Sequence, residues 1–264
     1  MDRINLILLI ATTISMLPLQ TARCADKDTI PSLTKSDASF STFPDSVTAS
    51  VADETDVSSN WDCPSADVFS FPKGPRLAVC GSLSPEPSRA GTYLIGLKSD
   101  FFFIVVKDKN GITHLLLEGG GSGGNPALLE PRPGREFRYI EALQDSARYY
   151  SVFQTPILCD QKSCALGKES CAVDIPKDIH PDVFRRLDAE KRKKIRRGKN
   201  ADAYMNLVAG YSHELLMRSL TGDRRAADLL MNHFPFDLDA APAEIVGADR
   251  DTYSRAKKLG CRGL

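Results

Sequence analysis

Beyond its first thirty residues this chain has no apolar run long enough to cross a bilayer, which takes about 20 consecutive helical residues. The best candidate, YLIGLKSDFFFIVVKDKNG, is interrupted by Lys98, Ser99 and Asp100. No C-x-x-C pair is present, which removes the usual dithiol redox device. There is no N-x-Ser/Thr glycosylation acceptor, no calcium-loop spacing, and no Gly-Lys-Ser/Thr to complete a phosphate-binding loop. Histidine is scarce, at four residues, and none is followed by a second one four positions on, as zinc-protease helices require. Net charge is also missing: 34 basic residues face 34 acidic ones, so no global field draws the chain to nucleic acid or membrane. Internal repeats are absent. No pair of carboxylates sits where acid and base roles could be assigned. The sequence therefore predicts no catalytic residue, no metal and no cofactor.

What is present begins at the N-terminus. MDRINLILLIATTISMLPLQTARCADK has a short polar start with Arg3, an apolar stretch from Ile4 to Leu19, Pro18 and a small-residue step near Cys24. That is the layout of a secretory signal, and it sets residues 1–24 as a signal peptide and the mature chain as periplasmic or secreted. Residues 25–60 carry two lysines against seven acids among Ser and Thr, with no sustained apolar period. The composition predicts a disordered acidic linker.

Export decides how the cysteines read. Without Cys24, six remain: Cys63, Cys80, Cys159, Cys164, Cys171 and Cys261. An even number in an oxidising compartment reads as disulfides. Cys63–Cys80 is the expected local pair. The other four then pair among themselves and tie Cys261 back to the 159–171 cluster. The rival is a zinc site from Cys159, Cys164, Cys171 and His180, whose C-x4-C-x6-C-x8-H spacing lacks the tight pair of structural zinc sites.

From Trp61 to about residue 180 strand signals dominate. PRLAVCGS, GTYLIGLKS, DFFFIVVKD, GITHLLLEG and EFRYIEAL are short runs of β-branched and aromatic residues between turn formers. Asn110-Gly111 marks a hairpin with positive φ angles. YYSVFQTPILC is a further strand, and EALQDSARYY suits a short helix. Past Pro181 the period becomes helical in four segments. In one of them Tyr204, Leu207, Val208, Tyr211 and Leu215 form an apolar stripe, and Gly222-Asp223 supplies a stop followed by a cap. The expectation is an α+β fold. An antiparallel β-rich part of five to seven short strands spans 61–180, and about four helices span 181–264, stapled by disulfides.

Three patterns touch on chemistry. GGGSGGNP contains G-x-S-x-G around Ser122, which can mark a nucleophile elbow, with His213 a distant candidate base. The prolines at 126, 131 and 133 deny the helix such an elbow needs, and a glycine-rich surface loop is the simpler reading. His213-Glu214 are helix neighbours about 100° apart and form no pair. The densest feature is RRLDAEKRKKIRRGK, with nine basic residues against Asp188 and Glu190 from 185 to 199. Arg185, Arg186, Lys191, Arg192, Lys193, Lys194, Arg196 and Arg197 are the candidate anion-binding residues. Their expected partner is an acidic protein face or an anionic envelope component. Aromatics for base stacking are not interleaved, which disfavours nucleic acid. The leading expectation is a non-enzymatic binding or accessory protein, such as an envelope factor, an inhibitor or an immunity-type protein. A serine hydrolase using Ser122 is the alternative.

Overall fold

The computed structural model describes residues 30–37 and 66–264, apart from 73, 82, 96–100, 121–125, 147, 193–200, 237, 239 and 262–263. The signal segment, Trp61, Cys63 and Ser122 lie outside the described residues.

The described elements follow the expected order of strands and then helices. The strands are β1 (Ser32–Asp37), β2 (Ala66–Ser70), β3 (Arg76–Cys80), β4 (Leu83–Pro85), β5 (Tyr93–Ile95) and β6 (Phe101–Lys107). They continue with β7 (Thr113–Gly120), β8 (Ala127–Arg132), β9 (Glu136–Asp145), β10 (Arg148–Cys159), β11 (Cys164–Leu166) and β12 (Ser170–Cys171). The helices are α1 (Val183–Arg192), α2 (Ala201–Leu220), α3 (Arg224–Met231) and α4 (Ala240–Lys258). All strand pairing is antiparallel. One sheet has five strands in the order β1-β2-β3-β6-β7. The other has seven, β11-β10-β9-β8-β5-β4 with β12 also on β10.

The two sheets face each other across an apolar layer. Phe69, Leu77, Val79, Ile104 and Val106 come from one sheet, and Ile95, Leu129, Phe137 and Ile157 from the other. The first sheet is buried on its other face too, through Val68, Ala78 and Val105. Burial on both faces explains why RLAVC and FFFIVV are continuous apolar runs rather than alternating ones.

The longest strands, β9 and β10, form a ribbon that serves two cores. Phe137, Tyr139 and Ile157 lie between the sheets. Further along, Leu143, Val152 and Phe153 pack with Val183, Leu187, Val208, Leu215 and Leu230 of the helices. The α2 stripe behaves as its spacing predicts, with Tyr204, Val208, Tyr211 and Leu215 buried and Leu207 partly so. Arg255 of α4 rivets the helices to the ribbon. Its guanidinium donates two 2.8 Å bonds to Glu141, pairs with Glu169, and lies 4.3 Å over the Phe153 ring.

Three local expectations need correction. EALQDSARYY is the turn of the β9–β10 ribbon, not a helix. Cross-strand pairing and burial of Leu143 outweigh its local helix preference, and Ser146 takes the left-handed turn position at φ 55. Ser32–Asp37, within the stretch read as linker, is a strand on β2. Its register is held where Lys35 donates to Asp67 at 2.7 Å and to the Leu83 carbonyl at 3.0 Å. Asn110-Gly111 is a hairpin turn, but only Gly111 has positive φ, at 83. The Asp108 carboxylate closes the loop instead, accepting from the amides of Asn110 and Ile112 at 2.8 Å each.

Candidate functional site

The described cysteines are crosslinked. Cys159 bonds Cys164, directly opposite it across the β10–β11 hairpin, and Cys171 bonds Cys261 across 90 residues. The second bond is the predicted tie from the C-terminal region to the cysteine cluster. Together the two bonds exclude the zinc alternative, because Cys159, Cys164 and Cys171 have no free thiolate to offer and His180 stands without them. Among the described residues no group of three His, Cys, Asp or Glu is placed to hold a metal. Cys80 is in a disulfide as well, and its expected partner Cys63 lies outside the described residues.

Helix α1 presents the start of the basic run. Val183 and Leu187 sink into the helical core and leave Arg185, Arg186 and Lys191 on the outer side. The three cations do different things. Arg186 pairs with Glu214 of α2 and lies 5.5 Å over the Tyr211 ring. The Glu214 hydrogen bond is the main cause that raises its pKa, so this guanidinium clasps α1 to α2. Arg185 is well exposed and, among the described residues, pairs only with Asp182, at 2.7 Å, in the turn before the helix. Lys191 is exposed, with no ion pair among the described residues. The side chain of Arg192 and all of Lys193, Lys194, Arg196 and Arg197 lie outside the described residues.

A second basic feature was not anticipated. The last turn of α4 ends in Lys257 and Lys258, and Gly260, at φ 68, turns the chain so that Cys261 reaches Cys171. Cations suit a helix C-terminus, where the backbone carbonyls leave partial negative charge. Cys171 of this crosslink lines an open cleft of about 770 Å³ between the 168–177 segment and the ends of α2 and α4. Lys168 and Lys177 rise from one wall and Lys258 from the other, all exposed and without ion pairs among the described residues. The single acid in the lining, Glu169, is held by Arg255.

A neighbouring hollow of about 630 Å³ shares Lys258 and adds Arg224, Lys257 and Tyr253. Arg225, next to Arg224, stacks 4.2 Å over Phe184 of α1. Asp228 also lines this hollow, so the convergence of cations there and in the cleft is opposed by one acid in each. RAKKLGC and ALGKESC carry the signal for this convergence in the sequence. The Cys171–Cys261 bond and the Arg255–Glu169 ion pair show that the two segments meet.

His213, the candidate base, sits on α2 with Nε2 2.8 Å from the Gln144 carbonyl, so it braces the helix against the ribbon. Its candidate nucleophile, Ser122, lies outside the described residues. The adjacent Ser212 is fully buried and donates to Asp249 of α4 at 2.5 Å. Burial raises the Asp249 pKa, against lesser lowering by Ser212 and His213. That serine points its proton at a carboxylate on the neighbouring helix. It is a helix-to-helix strut.

No family model, curated protein or solved structure matches this chain.

Proposed function

We propose that this chain is an exported, non-enzymatic binding or accessory protein that meets an acidic protein face through the basic surface of its helical part. Two disulfides fit an oxidising compartment. No described helix is long and apolar enough to cross a membrane. The observation that carries the reading is the division of labour on α1. Val183 and Leu187 anchor the helix and Arg186 clasps it, while Arg185 and Lys191 stay outside at the head of a run of cations. A sequence run this rich in cations speeds and selects encounters with an opposite surface, and its effect is screened by salt.

The test replaces Lys191, Arg192, Lys193 and Lys194 by Gln and measures binding of labelled polyglutamate by anisotropy. The wild type is expected to bind in a salt-dependent manner, and the variant to lose about tenfold in affinity with an unchanged melting temperature. Equal binding by the variant, or binding indifferent to salt, defeats the proposal. Flotation with anionic vesicles, absent with zwitterionic ones, would replace the protein partner with a lipid surface.

A further inference from the structure

We infer that the cleft above the Cys171–Cys261 bond takes an extended acidic peptide, laid along the open edge of β12. The inference rests on the proposed binding role and names the segment of the partner that enters this cleft.

Three observations converge. The first is backbone geometry. Among the described strands β12 pairs with β10 along one side only, with Cys171 opposite Phe153 and Ser170 opposite Gln154. The Ala172 amide donates to the Val152 carbonyl at 2.9 Å. In an antiparallel ladder neighbouring residues turn their amides to opposite sides. Ala172 is satisfied by β10, so Cys171 turns its amide and carbonyl away from β10, and Cys171 lines the cleft. An added strand would find a main-chain donor and acceptor there, which is how sheet edges capture peptides.

The second observation is charge. Lys168 and Lys177 on one wall and Lys258 on the other flank the path, and Glu169, the one acid, is taken up by Arg255. The third is the floor, where Val173 and Leu259 are partly exposed apolar residues and the buried Ile175 and Leu220 back them from the core. A strand alternates its side chains between two faces. A peptide that alternates acidic and apolar residues would put carboxylates among the lysines and apolar groups on that floor. The lining holds no aromatic ring for a nucleobase to stack on. A bare headgroup phosphate would leave the apolar floor uncovered.

The probe is a labelled peptide of about ten residues alternating glutamate and valine, long enough to cross the cleft at strand rise. It is titrated into the full oxidised chain. The wild type is expected to give saturable binding. Lys168→Glu, Lys177→Glu and Lys258→Glu together should weaken it by about tenfold or more, and the milder Gln triple by less. A glutamate–serine peptide, and the same sequence N-methylated at alternate residues, should each bind more weakly than the probe. Inorganic phosphate should not displace the probe. The α1 glutamine variant should bind it like wild type, so failure of the cleft and failure of the α1 surface are read separately. Absence of saturable binding overturns the inference. Equal binding by the charge-reversed chain, or by the serine or methylated peptides, does so too, as does displacement by phosphate.

Discussion

Asp249 is a half-buried carboxyl between α2 and α4 that accepts the Ser212 hydroxyl. Burial raises its pKa in the folded chain above the ordinary aspartate value of 3.8, against lowering by Ser212 and His213. The folded state then holds the proton more tightly than the unfolded state. Stability from this group is complete below the unfolded value and is lost as pH rises through the folded one. Asp249→Asn keeps an oxygen to accept the Ser212 hydroxyl and cannot ionise. The substitution should raise the melting temperature at neutral pH, with a gain that shrinks towards pH 4. Melting curves over a pH series test this, and a gain that grows on acidification would contradict the assignment.

At the scale of single elements, α3 shows how much a short helix owes to its ends. Asp223 is its N-cap, accepting from the amides of Arg225 and Ala226 at 3.0 and 3.1 Å. It also pairs with Arg218 at 2.5 Å, and Arg218 in turn donates to the Ile179 carbonyl at 2.9 Å. Burial acts to raise the Asp223 pKa, but Arg218 and the two amides outweigh it and the net shift is downward. Asp223→Ala removes cap and pair together and should cost about 2 kcal/mol, seen in urea denaturation. Asp223→Asn keeps the cap and should cost less, since Asn is as good a cap.

This helix start was legible from Gly222-Asp223 alone, because stop and cap are local chemistry. So was the α2 stripe, because one helix face meets one core. The ribbon turn at 141–150 was not, since what makes it extended is contact with helices that come later in the chain. β1 was hidden for a related reason: SLTKSD has no strand-forming run of its own and is ordered by β2, Asp67 and the Leu83 carbonyl. Of the basic surface, the α1 run was plain to see. The cleft lysines were not, because Lys168 and Lys258 are brought together by contacts between segments about ninety residues apart, the Cys171–Cys261 bond and the Arg255–Glu169 pair.

For the whole molecule, the ribbon and the crosslinks make two cores behave as one. The entropy removed from the unfolded chain grows with the loop closed. The 90-residue span of Cys171–Cys261 should therefore contribute roughly 4–5 kcal/mol, and the five-residue span of Cys159–Cys164 roughly 2. Denaturation of the two double-alanine variants should rank them in that order. Equal losses would mean that local packing, not chain restraint, governs both sites. The long bond also imposes an order on biosynthesis. As the polypeptide emerges, Cys164 follows Cys159 almost at once, whereas Cys261 arrives only after every helix has been made. Any premature union of Cys171 must be undone by thiol exchange before the mature connectivity is reached, so maturation should depend on a disulfide isomerase more than on the oxidant alone.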